Sequence, residues 1–371
     1  MSEIFICEIC GDSYPVEQRT AFNGQDLCPT CLDENTLVCQ DCGTRIWMDN
    51  NEGSSEHPLC VHCYGRDYTN CSRCGVLLLN RDALYSGGND DGEYPYCADC
   101  YPQAAHSGIR DYYYKPEPLF YGDGRRFFGV ELEIDCAGEY NENAQQILNI
   151  GNAGESRIYC KHDGSLEEGF EIVTHPMTLA YHCQNMPWGD ILNKAVQMGY
   201  YSHQANTCGL HIHINRSSLG DTAEQQENTI ARILFFVENH WNELLRFSRR
   251  TNRQMEKWAA RYGRKDDPKA ILHSAKSSGN GRYTCVNLSN YDTIEFRMFR
   301  GTLKYNTLIA TLQIVDRICD VAFFLSDEEI QNITWSEFVS NLREETTPEL
   351  IRYLKERRLY INDPVESSEE V

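Results

Sequence analysis

Six CxxC pairs mark out the first hundred residues at a fixed period, and that period leaves few folds open. The pairs are Cys7/Cys10, Cys28/Cys31, Cys39/Cys42, Cys60/Cys63, Cys71/Cys74 and Cys97/Cys100. Cys7, Cys39 and Cys71 follow one another at 32 residues, as do Cys28 and Cys60. Cys60 to Cys97 is 37, so the third unit carries five extra residues, expected within 86–93 (SGGNDDGE). The result is a threefold repeat of C-x2-C-x17-C-x2-C, the third copy with x22 in the middle. Each unit is too small to bury a core of its own. A CxxC turn sets two thiolates on one side of a Zn2+, a second turn completes a tetrahedron, and metal binding then supplies folding energy. Gly11, Gly43 and Gly75 follow the first pair of each unit, where the chain must leave a tight knuckle. A disulfide framework would need an oxidising compartment. The start, MSEIFICEIC, has neither a basic region nor a long apolar core, so no secretory signal is expected. Three sequential four-cysteine zinc sites are therefore predicted, with a cross-braced pairing as the alternative. His57 and His62 are read as bystanders.

Charge narrows what such an array does. Residues 1–115 hold 7 Lys/Arg against 18 Asp/Glu, a net of −11, and the whole chain stands at −21. Proteins that bind nucleic acid or anionic membrane replace phosphate counterions with Lys and Arg, so neither partner is expected. No run approaches ~18 apolar residues, so no spanning helix is expected. The zinc region is read as a module that docks a protein partner or presents a substrate, and the compartment as cytoplasmic (host cytoplasm if the chain is viral).

The second half changes character. In RFFGVELEID (126–135), Phe128, Val130, Leu132 and Ile134 alternate with Glu131, Glu133 and Asp135, which predicts a strand with an acidic row. KHDGSLEEGFEIVTHP (161–176) predicts a turn at Asp163-Gly164 and a strand over 170–174 carrying Glu171. CGLHIHIN (208–215) alternates again and places His211 and His213 on one face. In TIEFRMFRGTL (293–303), Glu295 and Arg297 oppose Ile294, Phe296 and Met298, with Arg300 at the strand end. Carboxylate oxygens with an imidazole suit a hard divalent cation, and Arg suits phosphoryl oxygens. The six later cysteines lack metal spacing; Cys208 is the one whose neighbours make it a candidate nucleophile.

Helical spacing predicts one long helix over 222–248, another over 305–325, and shorter ones over 335–345 and 348–358. The division expected is a zinc region over 1–104, a Tyr/Pro-rich connector over 105–124, a catalytic domain over 125–330, C-terminal helices over 331–362 and an acidic tail over 363–371. Residues 249–282 carry ten Lys/Arg in an acidic protein, which suggests a segment that closes over an anionic ligand.

The segments FFGVELEI, DGSLEEGFEIVTHP, CGLHIHI and TIEFRMFRGTL, in that order, resemble the motif series of the amidoligase family, within the carboxylate–amine ligase superfamily of glutamine synthetase and glutamate–cysteine ligase. Members occur in bacteriophage and bacterial genomes. The resemblance implies an α+β fold: a curved antiparallel sheet with flanking helices, here preceded by three zinc-ribbon or LIM-like units. It implies ATP and Mg2+ (or Mn2+) as cofactors beside three structural Zn2+, and a carboxylate and an amine as substrates, one of them a small molecule, peptide or protein. By motif position Glu131, Glu133, Glu171, His211 and Glu295 resemble metal ligands, and His213 a nucleotide-phosphate contact. Arg297 and Arg300 resemble phosphoryl or carboxylate binders. Arg249, Lys276 and Arg282 are candidate contacts from the basic segment to ATP or an acidic substrate. The alternative readings are a catalytically silent zinc-bearing adaptor and another metal-dependent phosphoryl enzyme, such as a carboxylate or guanidino kinase, that uses no amine.

Overall fold

The structure, a computed structural model, describes residues 4–86, 94–101, 108–277 and 282–360. The chain forms two compact units, Met1–His106 and Ser107–Val371. The expected insertion in the third repeat falls largely on residues 87–93, and the acidic tail on 361–371, both outside the described residues.

The first unit repeats one pattern. A hairpin carries the first CxxC of each repeat in its turn: Ile4–Ile6 with Ser13–Pro15, Thr36–Val38 with Arg45–Trp47, and Tyr68–Asn70 with Leu77–Leu79. Helices Pro29–Asn35 and Val61–Asp67 start directly after Cys28 and Cys60. Pro29 stands at the first helical position, where a missing N–H costs nothing. The little core each repeat has is built on its cysteines, with Leu27 and Phe5 in the first and Leu59 in the second. Neighbouring repeats share apolar contacts. Trp47 packs edge-on against Phe22, ring centres 4.9 Å apart, and Leu77 packs on the second repeat's cluster.

The second unit is a mixed α+β body around a seven-stranded sheet. Numbered within this unit, the strands are β1 (Ile109–Arg110), β2 (Phe128–Ile134), β3 (Ile158–Lys161), β4 (Phe170–Thr174), β5 (Gly209–Asn215), β6 (Val286–Asn287) and β7 (Thr293–Arg300). Their order is β1-β3-β4-β2-β5-β7-β6. All pairs are antiparallel except β1 on β3, so the expectation of a wholly antiparallel sheet is corrected at this edge. The apolar face of β2, β5 and β7 (Val130, Leu132, Ile212, Ile294, Phe296) is fully buried in one core with the helices.

The helices of this unit are α1 (Asn141–Asn152), α2 (Leu179–Gln184), α3 (Trp188–Gln197), α4 (Ala223–Asn239), α5 (Trp241–Ser248), α6 (Asn252–Trp258), α7 (Pro268–Ser277), α8 (Tyr305–Phe324), α9 (Asp327–Asn332), α10 (Trp335–Ser340) and α11 (Pro348–Glu356). The single helix expected over 222–248 is two. His240 leaves helical geometry (φ −104°, ψ 31°) between α4 and α5, and its ring packs on Phe236 and Trp335. Local periodicity carries no signal for such a break. The basic segment 249–282 is not a free loop either. Met255, Ala259, Ile271 and Ala275 belong to the core, and residues 278–281 lie outside the described ones. Among the described residues, no helix is long and apolar enough to cross a membrane.

Candidate active site

The polar face of the sheet is assembled by register. β2 lies between β4 and β5, which sets Glu133 opposite Glu171 and Glu131 opposite His211. The next pairings extend both rows: Glu171 faces Lys161 on β3, and His213 faces Glu295 on β7. Asn287 on β6 closes the far side, donating from Nδ2 to Glu295 Oε2 at 2.8 Å. Four strands thus bring Glu131, Glu133, Glu171, His211, His213 and Glu295 to one face.

Glu131 sits at the middle. Its Oε2 is 3.3 Å from His211 Nδ1, and its Oε1 is 3.1 Å from His213 Nε2. His211 Nε2 lies 3.8 Å from Glu133 Oε1, and His211 Nδ1 3.6 Å from Glu295 Oε1. Glu133 also accepts the backbone N–H of Gly209. Arg297 pairs with Glu295, and Lys161 Nζ stands 3.3 Å from Glu171 Oε2. Burial alone would raise every one of these carboxyls. At Glu131 the imidazoles of His213 and His211 outweigh it and hold the group well below the ordinary carboxylate range. At Glu295 burial is likewise outweighed, chiefly by His213, and the group is lowered. Glu171 goes the other way: burial and the like charge of Glu131 push it well above the usual range. Glu133 is raised by burial. Burial would lower His213, but Glu131 and Glu295 raise it.

A divalent cation fits this donor set. Glu131, His213 and Glu295 can offer ligand atoms within 4.8 Å of one another, and so can Glu131, Glu171 and His211. Glu131 belongs to both triads. Glu171 Oε2 and His213 Nε2 are buried without a partner in hydrogen-bonding geometry. The carboxylate oxygens suit Mg2+ and Mn2+, and a cation would remove the repulsion between Glu131 and Glu171.

Asp135, third in the acidic row, does something else. Its carboxylate accepts from the N–H groups of Cys136, Glu167 and Glu168 and from Thr207 Oγ1 at 2.6–3.1 Å, pinning two loops. Cys208 is buried, and burial pushes its thiol far up, which leaves no thiolate to act as a nucleophile. Lys276 pairs with Glu227 on α4 rather than with the acid cluster. Arg282 donates to Tyr112 of the connector and lies over the Tyr283 ring, 5.2 Å from its centre. Arg297 lies 6.0 Å from the same ring centre. Arg300 makes no ion pair with the acid cluster.

Sequence reading missed Lys161, Asn287 and Arg250. Alternation within IYCK carried a signal for Lys161, since Ile158 and Cys160 are the buried pair. Arg250 follows helix α5 at the start of the basic segment 249–282, whose charge is the local signal that could have found it. Its guanidinium is buried enough to fall to about 10, and Nη1 has no partner.

The cysteines of the first unit gather as three sequential tetrads, Cys7/10/28/31, Cys39/42/60/63 and Cys71/74/97/100, and not as a cross-brace. Thiolates at ~2.3 Å from a tetrahedral zinc stand about 3.8 Å apart. Cys42 and Cys60 are at 3.7 Å, Cys74 and Cys97 at 3.8 Å. Gly11, Gly43 and Gly75 take φ of +75°, +72° and +73°, each returning its N–H to the first cysteine of its knuckle. Burial raises the thiols of Cys7, Cys39 and Cys71, but backbone N–H donors outweigh it and bring each to about 6. Cys31, Cys63 and Cys100 are pushed up to about 12 by burial and by the neighbouring sulfurs. The tetrads fit zinc units.

The second unit thus gathers acids and imidazoles at the centre of its sheet with guanidiniums beside them, a donor set that can hold a cation and an anion side by side. Residues 151–319 match the model of the family described as "Putative amidoligase enzyme". The match takes in Glu171, both histidines, Glu295 and the two arginines, and begins after Glu131 and Glu133. It bears out the family resemblance, covering three of the four motifs from which it was drawn, and supports a ligase-type enzyme. No curated protein matches the chain in sequence. Among solved structures, a bifunctional glutathione synthetase from Pasteurella multocida is similar at 12% identity and a TM-score of 0.37, over 63% of this chain and 46% of that one. The chain therefore spans about half the length of that protein.

Proposed function

We propose that the chain is an ATP-dependent carboxylate–amine ligase working through an acyl phosphate on a glutamine synthetase-like sheet within residues 125–330. The observation that carries the reading is Glu131, shared between two ligand triads on adjoining strands. Transfer of a phosphoryl group to a carboxylate brings anions together, and the charge must be neutralised in line. Mg2+ or Mn2+, when bound, supplies that neutralisation. Glu131, Glu171 and His211 would hold one ion, and Glu131, His213 and Glu295 a second. Arg297 and Arg250 supply fixed positive charge beside them. The substrate carboxylate oxygen attacks the γ-phosphorus, ADP leaves, the amine nitrogen attacks the acyl carbon, and phosphate leaves. Water must be kept out between the two steps.

The three zinc units, in this reading, dock a protein partner or a macromolecular substrate in the cytoplasm. Ile4, Ile6, Val38 and Val61 are exposed there, and the acidic surface disfavours nucleic acid. The test is calorimetric titration of zinc-loaded protein with a non-hydrolysable ATP analogue. Saturable binding that needs Mg2+ and is lost in Glu295→Ala supports the site; hydroxylamine trapping of the acyl phosphate follows. Absence of binding to folded protein would move the assignment to a silent adaptor.

A further inference from the structure

The repeats of the first unit meet through one face of each CxxC hairpin. Side chains directly opposite on paired strands share a face, so Thr36, Val38, Arg45 and Trp47 stand together in the second repeat. That face packs on the first repeat. Thr36 is buried and donates from Oγ1 to the Leu32 carbonyl, Trp47 meets the Phe22 ring, and Arg45 reaches Asp33 at 3.4 Å. The third repeat uses the same face: Tyr68 and Leu77 pack on the second repeat's cluster. Ile46 and Leu78, on the opposite face, turn to the cysteines of their own repeats.

In the first repeat the equivalent positions are Ile4, Ile6, Ser13 and Pro15, and all four are exposed. Phe5 and Tyr14 turn inward to that repeat's cysteines. Ile4 is 67% and Ile6 64% exposed, whereas Thr36, which repeats the place of Ile4, is 4%. The outer face of an end repeat is ordinarily polar, because nothing stacks on it. Here it presents two isoleucines side by side. Its rim is acidic. Residues 4–35 carry one basic side chain, Arg19, against six Asp/Glu, and Arg19 is paired with Asp26 at 3.3 Å. Glu8, Asp12 and Glu17 flank the two strands and are exposed. Ser13 stands where the second repeat has Arg45, so the cation that meets an acid across the next junction is missing here. A four-thiolate site stays anionic with Zn2+ bound.

We propose that this face of the first hairpin docks a basic, aliphatic segment of a partner protein. The two isoleucines supply apolar area, and the acidic rim selects the partner's charge. The charge argues against a second copy of this chain as the occupant. Residues 1–115 stand at −11, and like charge across a small apolar contact opposes association. The inference rests on the docking reading of the zinc units and deepens it, naming the hairpin that docks and the chemistry of what it holds.

The experiment titrates labelled dodecapeptides that alternate Lys/Leu, Glu/Leu or Lys/Ser with zinc-loaded full-length protein, read by fluorescence anisotropy. One saturable equivalent of the Lys/Leu peptide is expected, weakened at least about tenfold in Ile4→Ser and in Ile6→Ser. The Lys/Ser peptide should bind wild type at least about tenfold more weakly, and the Glu/Leu peptide more weakly still. Both isoleucines are exposed, so the variants keep the fold and their three Zn2+, which mass spectrometry checks. Val76→Ser, at an exposed position of the third knuckle, should bind as wild type. Isoleucine variants that bind like wild type overturn the face, as do a Lys/Ser or Glu/Leu peptide held as tightly as Lys/Leu, or no binding at all. A dimer in sedimentation equilibrium that Ile4→Ser dissolves overturns the choice of partner in favour of a second copy. Binding that survives both isoleucine changes but not zinc removal sinks the face alone; binding that survives zinc removal as well sinks the docking reading with it.

Discussion

Gly209→Ala is the substitution in which the site's geometry can be tested most sharply. A Cβ at 209 would lie 2.7 Å from His211 Nε2 and 2.6 Å from Arg250 Nη2, where ordinary contact begins near 3.4 Å. Arg250 can swing its far end away. The His211 ring cannot do so freely, because it is buried and held against Glu131. It must give about 0.7 Å, several times the ~0.2 Å that metal–ligand distances tolerate. The backbone N–H to Glu133 survives in the variant, so the effect falls on the imidazole and on the far end of Arg250. Loss of about 10–100-fold in Mn2+ affinity is expected, read by electron paramagnetic resonance on zinc-loaded protein. Gly129→Ala is the control. Its Cβ would sit 3.4 Å from His213 Cβ, an ordinary contact, and affinity should hold. Equal Mn2+ binding in Gly209→Ala and wild type, with both folded, would refute the placement of His211 as a ligand.

Three further outcomes follow from the same structure. Purified protein should hold three Zn2+ per chain by mass spectrometry, falling to two in Cys63→Ser, and a chelator should melt the first unit, since each site contributes on the order of 10 kcal/mol. His182 is fully buried between the Phe128 carbonyl and the Trp188 indole N–H, and burial lowers it to about 4. Its folded value lies below the unfolded one. Its contribution of about 3 kcal/mol is therefore present above pH ~6.5 and is lost as pH falls from there to about 4. Denaturant titrations of wild type and His182→Asn should converge across that window, and parallel curves would argue against it. Arg126 bridges Asp316 at 2.5 Å and Asp320 at 2.7 Å, joining the start of β2 to α8. Arg126→Ala should cost ~2–3 kcal/mol in urea unfolding, less than a fully buried pair because Asp320 is 36% exposed; a change under ~0.5 kcal/mol would contradict it.

Much of this protein is written locally. The CxxC period alone names the twelve thiolates, because two knuckles at fixed spacing can close only a small tetrahedron. Strand alternation alone commits Glu131 with Glu133, and His211 with His213, to shared faces, because side chains on a strand repeat every two residues. Which acids meet which imidazoles is a decision of another kind. It depends on strand order and register, which the burial of Val130, Ile212 and Phe296 sets across long stretches of chain. Placing β2 between β4 and β5 makes Glu131 the common member of two triads, and nothing within FFGVELEI says so. Tertiary structure also withdrew Asp135 into a loop-pinning role and broke the 222–248 helix at His240. It brought Lys161 and Arg250 to the centre from elements with no acid of their own to signal them. Periodicity describes what one segment can bury; only the packed sheet decides which charges are left facing one another.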